Sequence, residues 1–177
     1  MIGRLRNSIS SVFVLASVAA LWTVSPVFAS DDVGVGGSFT VSYAYSVENY
    51  CGAGEGEYSF EAQGLGRLTG LGPLFLTVKK CYRVSDGRYT GTFTIAGAAG
   101  DSLRGTYLGT QGPLDANNFG PFHGVLTITG GTGRFRGLRG ALSFEAVSSP
   151  DSAVATPGML GGMAFYILDG QLRSDRH

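Results

Sequence analysis

Two segments of this chain follow one pattern closely enough to constrain its architecture. Gly91-Thr-Phe-Thr-Ile-Ala-Gly97-Ala-Ala-Gly100 leads into Leu103-Arg104-Gly105, and Gly124-Val-Leu-Thr-Ile-Thr-Gly130-Gly-Thr-Gly133 leads into Leu138-Arg139-Gly140. Each joins a β-prone run, a glycine-dense turn and a second run. Glycine suits such turns because a positive φ costs it nothing. A third stretch, Gly64-Leu-Gly-Arg-Leu-Thr-Gly70-Leu71, matches Gly131-Thr-Gly-Arg-Phe-Arg-Gly137-Leu138. The pattern predicts a hairpin unit used more than once. It is not a phosphate loop: a dinucleotide fingerprint needs G-x-G-x-x-G between a strand and a helix, and here the third glycine comes one residue late with a strand after it.

The runs between the turns alternate with the period of half-buried strands. Phe39, Val41, Tyr43, Tyr45 and Val47 share one face of a strand over 38–47, and Tyr58, Phe60 and Ala62 one face of a strand over 55–62. Further strands are expected over 74–84, 88–96, 102–110, 122–129, 140–147 and 159–168. The stretches 111–121 and 148–158, rich in glycine, proline and polar residues, read as loops. The last strand is apolar on both faces, which predicts burial on both sides. About eight evenly spaced strands with no helical period make an all-β chain, and glycines inside strands (Gly91, Gly105, Gly124) favour closure. The expected fold is a single antiparallel closed barrel of about eight strands, with room for packed side chains or one small ligand.

Glycine supplies 29 of 177 residues, far above the usual share of about 7%. The plentiful aromatic and β-branched residues nevertheless argue against disorder. At the N terminus, Arg4 and Arg6 precede an apolar run from Val12 to Val24, and Val27-Phe28-Ala29 fits the small-residue rule of a signal-peptidase site. The run is short beside the ~20 residues of a membrane span. Residues 1–29 are therefore expected to be a signal peptide and 30–177 one barrel domain, secreted or periplasmic, with no stable membrane span after cleavage. Without Arg4 and Arg6 the chain is slightly acidic. Lys79-Lys80 and the Arg134, Arg136 and Arg139 group are too small a basic surface for nucleic acid.

Cys51 and Cys81 are the only cysteines. In an exported protein they are expected to form a disulfide, closing a loop of about 30 residues worth around 3 kcal/mol in the chain-entropy model. Neither has a second cysteine nearby and His123 is the only histidine before the terminus, so no metal or other cofactor is expected. Glu55, Glu57 and Glu61 read as a solvated outer face, and His123 as a lone structural histidine. No G-x-S-x-G or H-E-x-x-H motif marks a hydrolase.

The stretch Leu126-Thr-Ile-Thr-Gly-Gly-Thr-Gly-Arg-Phe-Arg-Gly-Leu-Arg-Gly140 resembles the signature of the allene oxide cyclase and dirigent barrels. The similarity takes in Gly100-Asp101, Gln111-Gly112-Pro113 and the closing run Met163-Ala-Phe-Tyr-Ile-Leu-Asp-Gly170, so it covers about 88–170. The resemblance implies an eight-stranded antiparallel, calycin-like barrel. It also implies a lumen that, in some plant members, steers a reactive intermediate through one stereochemical course by shape. The cyclases' glutamate, asparagine and cysteine are not carried over: the first strand offers only Glu48 and Asn49 at its far end, the later segment reads Gly72-Pro-Leu-Phe-Leu, and Cys81 lies beyond it.

The functional expectation is a barrel that binds a small apolar or aromatic molecule and steers its cyclisation or coupling. Tyr43, Tyr45, Tyr58 and Glu48 are the candidate ligand residues. Whether it is an enzyme stays open; an activity would be isomerase- or cyclase-like, or dirigent-like, without metal. The alternative is a non-catalytic secreted structural or envelope-interaction barrel acting through its loops, with a filled lumen. The sequence is compatible with an oligomer.

Overall fold

The computed structural model describes residues 32–46, 51, 57–116, 120–150 and 161–174. The expected signal peptide lies outside them. Eight antiparallel strands follow in chain order: β1 (Asp32–Tyr45), β2 (Glu57–Leu68), β3 (Gly72–Arg83), β4 (Arg88–Ala96), β5 (Ser102–Gln111), β6 (Gly120–Thr132), β7 (Leu138–Pro150) and β8 (Gly161–Ser174). Each pairs with the next, and β8 returns to β1 from Asp32↔Arg173 to Ala44↔Gly161, closing the barrel. Closure leaves no strand edge unpaired. Among the described residues no helix is long and apolar enough to cross a membrane.

Inward side chains fill the lower lumen. Val35, Phe39 and Val41 of β1 meet Leu74, Leu76 and Val78 of β3, Phe93 and Ile95 of β4, Leu142 and Phe144 of β7, and Tyr166, Leu168 and Leu172 of β8. Alternation is what delivers them, since every second side chain of a strand faces the same side.

Both repeated hairpins carry a one-turn 3-10 helix at their tip, Ala98–Gly100 between β4 and β5 and Gly133–Phe135 between β6 and β7. The third echo is only partly a turn. Residues 64–68 continue β2, and the chain turns over 69–71. Gly64 and Gly66 serve a different purpose there: a Cβ on Gly66 would lie 2.4 Å from the Phe39 ring, so the missing side chain makes room for it. The correspondence holds at its end. Gly70 and Gly137 both have positive φ, 75° and 79°, and each is followed by a buried leucine, Leu71 and Leu138.

Two expectations need correction. β1 begins at Asp32 rather than Ser38, and β2 runs to Leu68 rather than Ala62, because glycines interrupt the side-chain alternation without ending the backbone pairing. β8 is not buried on both faces. Its inward residues are buried, but Met163, Phe165 and Ile167 face outward, 37%, 47% and 57% exposed. Phe165 belongs to a row across neighbouring strands, Val147, Phe165, Thr40, Leu65 and Phe75, that gives the outside of the barrel an apolar band.

Candidate ligand site at the open end of the barrel

The antiparallel order sends the tight turns 69–71, 97–101 and 133–137 to one end of the barrel and the connections 46–56, 84–87, 112–119 and 151–160 to the other. At the tight-turn end the lumen is packed shut. Leu71, Phe135 and Leu138 are at most 1% exposed. Arg134 binds the three turns together: its Nε lies 2.8 Å from Asp101, its Nη2 donates to the Leu71 carbonyl at 2.9 Å, and its guanidinium covers the Phe135 ring at 4.7 Å.

The opposite end is hollow. A cavity of about 230 Å³ opens there, lined mainly by Tyr43 and Tyr45 of β1, Phe60 of β2, Lys80 and Tyr82 of β3, Tyr89 of β4 and Phe122 of β6, with Gln111, Leu114, Ser148 and Gly161 completing the wall. The aromatic rings form two stacked pairs, Tyr45 on Phe60 at 4.3 Å and Tyr82 on Tyr89 at 4.6 Å between centroids. Edge contacts of Phe60 with Tyr82 and Tyr89, both at 6.4 Å, join the pairs. Such pairs add about 0.5–1.5 kcal/mol each beyond burial, so the rings hold their places around an open space.

Hydrogen bonds fix the wall further. The Tyr89 hydroxyl donates to Gln111 Oε1 at 2.9 Å, and Gln111 Nε2 donates to the Pro121 carbonyl at 3.0 Å. Tyr43 interacts with Ser148, and burial raises its pKa against that hydrogen bond. Gly162, opposite Tyr43 in the β1–β8 register, makes this placement feasible, since a Cβ there would come 2.6 Å from the phenol oxygen. Desolvation raises the pKa of Tyr45 and Tyr89 as well, so the wall is neutral and hydroxylated at physiological pH.

The floor is Lys80. It occupies the inward register of β3 after Leu74, Leu76 and Val78, and is only 6% exposed. Its Nζ lies 4.2 Å from the Tyr89 ring centroid, 5.0 Å from Phe122 and 5.5 Å from Tyr107. Burial pushes its amine down to about 7. Deeper still, the buried hydroxyls of Tyr107 and Tyr166 affect each other's ionisation but make no hydrogen bond of good geometry. Among the described residues no cluster of histidine, cysteine or acidic side chains could hold a metal ion.

The structure brings Tyr43 and Tyr45 into the cavity wall. Tyr58, 45% exposed, stands outside it and packs on Tyr45 at 5.4 Å. Glu48 lies outside the described residues. Glu61 faces outward and pairs with Lys79 at 3.4 Å, and His123 is likewise exposed on the outer face. Cys51 and Cys81 are joined, with Cα atoms 5.4 Å apart, tying the β1–β2 connection to β3 beside the mouth. Sequence reasoning missed Lys80. The usable signal was its parity with Leu74, Leu76 and Val78, which puts a cation in line with the core.

Comparison of the chain with protein-family models, with curated proteins and with solved structures found no match.

Proposed function

We propose that this protein is an exported barrel that binds a small aromatic or apolar molecule in the open end of its lumen. The aromatic cavity carries the reading. About 150 Å³ of apolar space holds benzene, and drug-sized ligands occupy roughly 300 Å³ or more. A cavity of about 230 Å³ thus suits a molecule of one or two rings. The disulfide fits an extracytoplasmic location, in keeping with the signal-like residues 1–29.

The resemblance to allene oxide cyclase and dirigent barrels extends the reading to chemistry. A flexible reactive molecule held against the stacked pairs would be confined to a few conformers, and shape alone would favour one course of cyclisation or coupling. The alternative reading, a non-catalytic barrel acting through its loops, expects a filled lumen; the open cavity favours the first.

Titration with a neutral two-ring fluorescent probe, 1-aminonaphthalene, tests the binding claim. Saturable enhancement at one site per chain is expected, together with its loss in Ser148→Trp, which fills the mouth. Enhancement that does not saturate, or that the tryptophan variant retains unchanged, overturns it.

A further inference from the structure

Lys80 is one of only two lysines in the chain, and its neighbour Lys79 is engaged on the surface with Glu61. The groups facing it from every side can be named. Phe60 lies opposite it on β2 and Gly91 on β4. Tyr43 and Tyr45 come from β1, Tyr82 from its own strand, Tyr89 from β4, Tyr107 from β5, Phe122 from β6 and Ser148 from β7. All the titratable groups in this ring are phenols, and none of the described residues brings a carboxylate to the amine. A buried ammonium without a counter-ion is among the costlier arrangements a core can hold, and methionine would fill the same space without that cost.

We propose that the ligand of this cavity carries a single carboxylate, and that the Lys80 ammonium at the floor is its counter-ion. The proposal rests on the cavity being a ligand site, and it adds the ligand's charge and orientation. The apolar body of the ligand lies against the joined Tyr45–Phe60 and Tyr82–Tyr89 pairs, with its acid directed inward. One lysine supplies one charge and up to three donors, which matches a monoanion. A phosphate dianion would call for an arginine fork or a set of backbone amides, and the described residues of the lumen offer neither. The rings over Nζ hold the cation through their faces until a carboxylate replaces part of that interaction.

Protonation follows from the pairing. Burial holds the empty-site amine near pH 7, and a bound carboxylate raises it. Binding above pH 7 therefore draws in a proton, and affinity for the acid falls as the pH climbs.

The test compares 2-naphthoate with its neutral methyl ester, on the wild-type protein and on Lys80→Met and Lys79→Met. At pH 6.5 the acid is expected to bind at least tenfold more tightly than the ester. Above pH 7.5 that preference should shrink, with proton uptake visible as a buffer-dependent heat. Lys80→Met should abolish the preference while still binding the ester, and Lys79→Met should keep it. Equal binding of acid and ester by the wild type overturns the proposal and leaves the cavity reading standing. A preference that survives in Lys80→Met also overturns it. Failure of both ligands to bind the wild type removes the underlying cavity reading, and this proposal with it. The pH dependence of the wild type decides the matter even if Lys80→Met does not fold.

Discussion

At the tight-turn end, Leu71, Phe135 and Leu138 fill the lumen and Arg134 joins three turns through Asp101 and the Leu71 carbonyl. At the other end the same eight strands leave a space, ring it with tyrosines and place a lysine beneath them. The closed end turns in three to five residues, with positive-φ glycines at 70, 72, 100, 133 and 137; the open end has one short turn with Gly87, three longer connections and a disulfide. One barrel thus divides its tasks along its axis. Close packing at one end supplies the rigidity against which the other can keep polar and aromatic groups around empty space, at some loss of stability.

Replacing the buried lysine of the open end should differ in sign from replacing a buried ring of the closed end. Phe135→Ala, at a fully buried position of the closed end, should cost about 3–5 kcal/mol by the usual range for such truncations, read from urea unfolding. Replacing Cys51 and Cys81 by alanine should cost around 3 kcal/mol; a loss well below 1 kcal/mol would mean that the open end is held by its rings.

Lys80→Met should act in the opposite direction. The folded amine sits near 7 and the ordinary value is 10.5, so between those limits the unfolded chain binds the proton that the folded chain has released. Wild-type stability should therefore rise with pH across that window, by at most about 1.4 kcal/mol per unit. The variant should lack this slope. Its gain, on the order of a few kcal/mol, should be fully present at pH 7 and below and fade towards pH 10. A destabilised Lys80→Met at pH 6 would break the contrast between the ends.

The smallest effect is expected from Tyr89→Phe, which removes the hydrogen bond to Gln111 and should cost about 1 kcal/mol. Its affinity for a neutral probe should stay close to that of the wild type.

Much of the fold was readable in the chain. β4 starts and ends where its alternation does, and the G-x-x-T-I-x-G-x-x-G repeats became two hairpins, each with a one-turn helix at its tip. Glycine hid what remained. Runs such as Gly34-Val-Gly-Gly and Gly64-Leu-Gly66 have no side chains on alternate positions, so periodicity fades while pairing continues. The outward apolar residues of β8 were invisible for another reason: alternation identifies two faces but does not say which is wetted when both are apolar. Lys80 was obscured by Lys79. Two adjacent lysines read as a surface charge pair, yet in a strand adjacent residues face opposite ways, and one of them had to point inward.

The seam between β1 and β8 also has a consequence for how the molecule is made. It joins Asp32 to Arg173, whereas every other pairing in the barrel links neighbours in sequence. Loop-closure entropy makes such a long-range contact slow to form. Until it forms, β1 and β8 both present open edges, and β8 carries the run Met163-Ala-Phe-Tyr-Ile-Leu168, a segment of the kind that pairs with other chains. Any process that delivers the polypeptide from its N terminus leaves β1 waiting for its partner until the last strand emerges. The interval before closure is when this protein is most exposed to aggregation.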